Sequence, residues 1–185
     1  LIRIHRSFTR DLDTSENNVW LQSNLKYPVE SLTINFRPLE NLESVDNWYL
    51  STKLTPILIK QPVITDVPVV NTLAINTIQY NKEEDMVESL SFKIKDVILF
   101  DSYPATLYEN YIPIRYGDFI NAPIWKGWYL MPFNFNPGDD NPSGHINTSI
   151  NREMYLNYVS KHISTSEPAR LTVLAQVLNF LLIES

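Results

Sequence analysis

The sequence predicts an all-β chain: an eight-stranded antiparallel jelly-roll β-sandwich with long loops and one or two short helices. Three observations carry this. Short segments alternate apolar and polar residues with the period of a strand that has one wet face, as in Leu32, Ile34 and Phe36 against Ser31, Thr33, Asn35 and Arg37. Long proline-rich intervals separate these segments, and no long amphipathic helix stands out. About eight such segments fit into 185 residues, and eight strands in two sheets favour the jelly roll among sandwiches. The order of the strands stays open.

The first segment puts Ile2 and Ile4 on one face and Arg3 and His5 on the other; Arg6 interrupts the inner face, so the strand is expected to fray there. Thr9 to Asn18 reads as exposed loop. Val19 to Leu25 suits one or two helical turns, ended by Tyr27-Pro28 because the residue before proline avoids the α region. Val29 to Arg37 is the cleanest strand. Leu39 to Pro56 is a long connection in which Trp48, Tyr49 and Leu50 must partly pack. Pro56, Pro62 and Pro68 limit Ile57 to Val67 to an edge strand or extended loop, since proline donates nothing to a ladder. Val69 to Tyr80 is strand-like, with a phase slip after Ile75 that suits a bulge.

Asn81 to Glu88 is rich in acids and reads as an exposed turn. Leu90, Phe92 and Ile94 then alternate with Ser91, Lys93 and Lys95. Val97 to Phe100 is apolar on both sides, which predicts a strand running onto a covered surface. Tyr103 to Gly117 suggests a turn of helix, then a short strand at Ile112-Pro113-Ile114. Asp118 to Lys126 is loop. Ala169 to Glu184 fits helical spacing at Leu171, Leu174, Leu178 and Leu181, and fits a strand equally well. In an otherwise β chain a strand is preferred, with Leu171, Val173, Ala175 and Val177 on one face and Leu174, Leu178, Phe180 and Leu182 on the other.

The most tightly specified stretch runs from Pro132 to Tyr158. Phe133 and Phe135 alternate with Asn134 and Asn136 as a strand would. Asn136-Pro137-Gly138 suits a type II turn, with proline fixing φ at the second position and glycine accepting positive φ at the third. Asn141-Pro142-Ser143-Gly144 suits a type I turn. Met154, Leu156 and Tyr158 then share one face of a new strand.

Net charge is −6, which disfavours general nucleic-acid binding, because that role wants a basic surface. The chain has no cysteine, so neither a disulfide nor a thiolate metal site is open to it. The apolar tail from Leu171 to Ile183 is too short and too interrupted to span a bilayer. The start at Leu1 reads as a piece of a longer polypeptide.

No catalytic set, cofactor site or metal site emerges. His5, His145 and His162 lack zinc spacing, and a structural hydrogen bond is the expectation for His145. Asp11, Asp13, Ser15 and Asn17 have calcium-loop spacing without its glycine and closing glutamate. Asp139 and Asp140 are neighbours on a turn and so do not face each other across a substrate, as a glycosidase pair must. Asn147-Thr148-Ser149 is a formal glycosylation sequon. Trp125, Trp128 and Tyr129 read as core or interface anchors rather than as a sugar platform.

Pro142-Ser143-Gly144-His145-Ile146-Asn147, with Ser149 and Arg152-Glu153 after it and Asn136-Pro137-Gly138 before it, resembles the motif near the C-terminus of major capsid proteins of large nucleocytoplasmic DNA viruses. The likeness is to the African swine fever virus and faustovirus branch. Leu1 to His5, Leu25 to Glu30, Asp46 to Trp48, Tyr111-Ile112-Pro113 with Tyr116-Gly117, and Asn179 to Leu182 are similar to further landmarks in the same order. The resemblance implies that residues 1–185 form one jelly-roll domain, the C-terminal half of a double jelly roll, ending in a long strand. It marks Asn136, Pro137, Gly138, Pro142, Ser143, Gly144, His145, Asn147 and Arg152 as a structural motif. It further implies a homotrimeric, pseudo-hexagonal capsomer of an icosahedral shell, assembled in the host cytoplasm. The implied partners are copies of the chain itself, an N-terminal jelly roll, neighbouring capsomers and minor capsid proteins, without direct nucleic-acid contact or membrane insertion. The outer face of the last strand is then expected to pack against the first jelly roll or an adjacent subunit. A lectin-like carbohydrate-binding sandwich is the alternative, and an enzyme on the same scaffold ranks third.

Overall fold

A computed structural model describes residues 2–21, 27–62, 75–116, 126–136, 139, 141–148 and 153–180, with side-chain surroundings for all of them except 17, 60–62 and 75–78. In chain order the elements are β1 (Ile2–Leu12), β2 (Glu16–Trp20), β3 (Pro28–Pro38), α1 (Leu39–Glu43), β4 (Thr52–Pro62), β5 (Ile75–Asp85), β6 (Ser89–Ile94) and β7 (Val97–Pro104). A π-helical turn (Leu107–Tyr111) then runs into α2 (Ile112–Arg115), followed by β8 (Trp128–Pro132), β9 (Ile146–Asn147), β10 (Met154–Val159) and β11 (Ala169–Asn179). Two compact units result: Leu1–Thr52 with Asp85–Ser185, and Lys53–Glu84.

The larger unit is a sandwich. One sheet runs β1-β11-β3-β8, with β9 also paired to β3; the other runs β2-β10-β6-β7. The pairing is nested. Among the eight long strands of these two sheets, the first pairs with the last (β1 with β11), the second with the second-last (β2 with β10), the third with β8, and β6 with β7, all antiparallel. A long hairpin rolled into two sheets gives this order, which is the jelly roll. The smaller unit is a two-stranded sheet of β4 and β5. Within it Thr55 Oγ1 donates to Glu84 Oε2 at 3.1 Å, and Lys82 Nζ to Glu84 Oε1 at 2.9 Å.

The core lies between the two sheets. Leu171, Val173, Ala175 and Val177 of β11 are completely buried, as are Ile34 and Phe36 of β3, Tyr129 of β8 and Leu156 of β10. Phe36 bridges the sheets, its ring 5.2 Å from that of Tyr158. The last segment is thus a strand, with the inward face that the alternation predicts. On its other face Leu174 is half-buried and Leu178 buried, while Phe180 beyond its end is exposed. Met154, Leu156 and Tyr158 of β10, and Leu90, Phe92 and Ile94 of β6, are buried on the facing sheet.

Several expectations are corrected. β1 does not fray at Arg6 but continues to Leu12, and β2 begins at Glu16, so most of the expected 9–18 loop is strand. Arg6 falls opposite Ala175, yet its guanidinium sits 4.9 Å from the centre of the Tyr27 ring and donates to the Tyr27 hydroxyl at 2.9 Å. Stacking of this kind lets the cation close the sandwich margin with its charge still in water. Val19 and Trp20 are strand, not helix, because they pair with Leu156 and Tyr155 of β10. The expected turn at 81–88 is the end of β5 followed by Met86 and Val87, both buried.

Ile112-Pro113-Ile114 is helical rather than extended; proline is tolerated there because the first turn has no use for its missing N–H. The segments at Leu90 to Ile94 and Val97 to Phe100 are antiparallel strands joined by a turn at Lys95, whose φ is 52°. Val97, Ile98 and Leu99 are exposed rather than covered. Residues 22–25, Pro68, the expected strand at 69–74, the loop at 118–125 and residues 181–184 lie outside the described residues, as do the side chains at the phase slip after Ile75.

Leu171 stands opposite Phe36, completely enclosed on a strand paired along both edges. Leu171→Ala is expected to cost about 2–5 kcal/mol through lost transfer energy and a cavity that paired neighbours cannot close, read from the urea unfolding midpoint at unchanged m.

Candidate functional site

β8 pairs with Ser31 to Asn35 of β3 and stops at Pro132; β9 pairs with Pro28 and Val29 of the same strand. The chain thus leaves the sheet at Phe133 and returns to the same lane at Ile146. The base of this excursion is closed by hydrogen bonds. Phe133 N–H donates to Glu30 O at 2.8 Å, extending the ladder by one step. The Ser143 hydroxyl accepts from Asn136 N–H at 2.7 Å and donates to Asn136 O at 3.2 Å, so a single side chain satisfies both backbone groups of its partner.

Gly144 has φ of 151°, and a Cβ there would lie 3.2 Å from Phe133 O and 3.3 Å from Asn134 Cα. Only glycine fits that conformation at that distance from backbone. Asp139 N–H reaches Asn136 O at 3.4 Å, closing a four-residue turn; its central residues, Pro137 and Gly138, lie outside the described residues, as does Arg152. Thr148 ties the far end, its hydroxyl accepting from Tyr27 N–H at 3.1 Å and donating to Tyr27 O at 2.7 Å.

The predicted motif residues Asn136, Ser143, Gly144 and Asn147 are therefore brought together at the base and return of this excursion. Pro142 lies beside them, exposed, and His145 is exposed and joins none of the closing bonds. Phe133 and Phe135 do not share a face. Phe133 turns inward against Phe92 and Phe100, with ring centres 5.5 and 5.7 Å away, whereas Phe135 is 83% exposed.

A buried ion pair holds the excursion from below. The register of β3 on β11 slips between Gln176 and Val177, so Glu30 is the extra residue of a bulge. Its side chain is 1% exposed and accepts from Arg3 of β1, Nε to Oε2 at 2.7 Å and Nη2 to Oε1 at 3.3 Å. Arg3 Nη2 also donates to the Asp139 carbonyl. One guanidinium thus joins the first strand, the bulge and the loop. Sequence reasoning missed this pair; its trace is an acid inside the otherwise apolar start of β3.

A second polar cluster fixes the start of β8. Gly127, at φ of 83°, approaches Ser51 so closely that a Cβ would meet Ser51 O at 2.6 Å. Its N–H donates to Glu109 Oε1 at 2.6 Å, and its carbonyl accepts from Asn35 Nδ2 at 2.8 Å, which also donates to Ser51 Oγ at 2.7 Å. Burial raises the Glu109 carboxyl above its ordinary value; Asp85 adds to the rise, and Gly127 N–H and Lys126 oppose it. Burial, with Glu109 and Asp85 nearby, also pushes the enclosed Tyr129 phenol upward.

The other candidate chemistry does not assemble. Asp11 pairs bidentately with Arg170, at 2.8 and 3.2 Å, instead of lining a cation loop with Asp13 and Ser15. Asp139 Oδ1 accepts Asn141 N–H at 3.3 Å, and Asp140 lies outside the described residues. No group of three or more His, Cys, Asp or Glu able to hold a metal occurs among the described residues. Tyr129 is core, and Trp125 lies outside the described residues. The exposed rings of Trp48 and Tyr49 meet at 84°, an edge contact rather than a flat stacking surface. The arrangement can hold a loop rigid and present apolar contacts.

The chain is homologous to viral major capsid proteins. It is 26% identical over 203 aligned positions to the hexon protein p72 of African swine fever virus (isolate Tick/Malawi/Lil 20-1/1983), an alignment covering 100% of this chain and 31% of that protein. The major capsid protein of the Warthog/Namibia/Wart80/1980 isolate matches to the same extent. Among solved structures, the Faustovirus major capsid protein superposes with a TM-score of 0.80 at 28% identity, over 98% of this chain and 33% of that one. The PBCV-1 capsid superposes with a TM-score of 0.61 at 16% identity, over 95% of this chain and 47% of that one, a likeness of fold alone. No family model matches. The chain spans less than half the length of each of these relatives. The homologues are structural capsid proteins rather than enzymes.

Two outcomes follow from the polar clusters. Arg3→Leu leaves the Glu30 carboxylate buried without its guanidinium, and is expected to cost about 3–5 kcal/mol and to speed amide exchange from Phe133 to Asn147. Replacing both residues with leucine recovers most of the loss. For Glu109, the folded state holds a proton that the unfolded chain has already released. Stability therefore falls as pH rises from the ordinary carboxyl range through the raised value of Glu109. Glu109→Gln keeps an acceptor for Gly127 N–H and removes that slope, so above this window it is at least as stable as the parent, read from urea midpoints across pH.

Proposed function

We propose that this chain is the second jelly roll of a longer double jelly-roll major capsid protein, and that its work is mechanical. Three copies of the full polypeptide form a pseudo-hexagonal capsomer, and capsomers tile an icosahedral shell assembled in the host cytoplasm. The observation that carries this reading is that the whole chain aligns with one part of the hexon protein, and that 98% of it superposes on the Faustovirus capsid protein.

The local physics supports it. The sandwich is packed through rings and β-branched side chains, which gives a stiff block. In the proposed motif, Asn136, Ser143, Gly144 and Asn147 fix the excursion after β8 at its base and return, with Pro137, Gly138, Pro142, His145 and Arg152 completing the pattern by resemblance. A loop held that firmly can present Phe135 to another subunit at little ordering cost. Contacts with the N-terminal jelly roll, neighbouring capsomers and minor capsid proteins complete the proposal.

Light scattering of the full-length polypeptide tests it. Three times the protomer mass is the expected result, and a monomer at every concentration overturns the reading.

A further inference from the structure

The sandwich has four outer strands. β1 carries Arg3, His5, Arg6, Arg10 and Asp11; β2 begins with Glu16; β8 is uncharged, but the helical segment from Leu107 to Arg115 packs against it. Charge and covering of this kind are how sheet edges are kept from pairing with other chains. β7 is different. From Val97 to Phe100 it has no charge, and among the described residues its far edge is unpaired. Val97 and Ile98 are each 61% exposed and Leu99 41%. From Val97 to Phe100 its register against β6 is irregular, between Leu90 and Lys93. Among the described residues, side-chain bonds to its backbone come only further on, where the Tyr108 hydroxyl donates to Asp101 O and Ser102 N–H to Asp101 Oδ1. Among the described residues this run, patterned for a strand covered on both sides, is left open, and its edge is free to take a partner strand.

The charges around this run indicate which partner. Lys95, exposed in the turn before β7, and Asp101, exposed within it, lie three residues on either side of Ile98. An antiparallel partner with the same sequence, centred on Ile98, sets Val97 opposite Leu99 and brings the Lys95 turn of each copy towards Asp101 of the other. Shifting the centre by half a residue brings Asp96 towards Asp101 and loses the complementarity. Such a pairing is isologous and has a two-fold axis. A closed three-fold ring is built from heterologous contacts, so this one cannot lie inside a trimer.

We propose that β7 is a self-pairing edge that joins two copies of this chain in different trimers, antiparallel and centred on Ile98, forming a continuous sheet across a two-fold axis. The proposal rests on the capsid reading for the trimer and adds the contact between trimers.

The test uses the full-length polypeptide with Ile98→Cys. Opposed α-carbons in an antiparallel pair lie about 4.5–5.5 Å apart, within disulfide reach, and the 185 residues contain no other thiol. Mild oxidation is expected to link trimers in pairs through a cystine that mass spectrometry maps to position 98 on both sides. Ile98→Lys is expected to keep the trimer mass and weaken association between trimers at least about tenfold, the scale of one central interface residue. Intact trimers with no cystine at position 98 overturn the two-fold pairing and leave the capsid reading standing. Failure of the unmodified polypeptide to form trimers overturns the capsid reading itself.

Discussion

The larger unit depends on β11 lying between β1 and β3. That placement hydrogen-bonds both edges of β11 and seals Leu171, Val173, Ala175 and Val177 against the facing sheet. It also joins the ends of the sequence, since Ile2 pairs with Asn179 and Leu12 with Ala169. Closing a loop of that length carries an entropy cost that no local contact offsets. The first sheet therefore completes itself only when the last strand arrives, and folding of the sandwich should be slow and cooperative, as for other folds rich in non-local pairs. The same geometry makes the block stiff, because no strand of that sheet can move without breaking a ladder formed by distant segments.

How much of this is legible in the sequence depends on whether a segment's environment is local. Leu90 to Ile94, Met154 to Tyr158 and the face Leu171 to Val177 read correctly, because alternation reports which side is buried whatever the partner. In Val29 to Arg37 the inward face reads correctly, but Ser31 and Asn35, expected on the wet face, are buried. Errors fall where the partner decides. Val19 and Trp20 have no preference strong enough to exclude a helix, and their pairing with β10 settles them as strand. Arg6 looks like the end of a strand because the sequence does not show that Tyr27 will lie beside it. Ile112-Pro113-Ile114 looks extended because a proline near a helix start and a proline in a strand look alike over three residues.

The candidate site divides the same way. The type I turn expected over Asn141 to Gly144 does not form, residues 142–144 lying outside any turn, but the glycine at 144 is visible in the sequence, since φ preferences belong to the residue itself. The Ser143–Asn136 clasp and the Arg3–Glu30–Asp139 connection are not, because side-chain pairing has no signature in turn preference or alternation. Glu30 offers the general lesson. An acid in a core strand reads as a flaw in the alternation until the bulge at Gln176–Val177 and the cation on β1 are known. Removing a buried pair's partner costs far more than the pair contributes, so its value here is in fixing where the loop sits rather than in added stability.

These commitments sharpen the contrast with β7. Along β1, β3, β8 and the excursion, several polar groups that would otherwise seek other molecules are satisfied within the chain: Glu30 by Arg3, Asn136 by Ser143, Tyr27 by Thr148, Gly127 by Glu109 and Asn35. A surface with its hydrogen bonds spent internally resists strand addition, whatever its shape. At β7 the sequence provides three exposed apolar side chains and, among the described residues, an unpaired ladder edge instead. A subunit that must meet copies of itself in one orientation needs both properties, because a block sticky at every edge would aggregate and one satisfied at every edge would stay single.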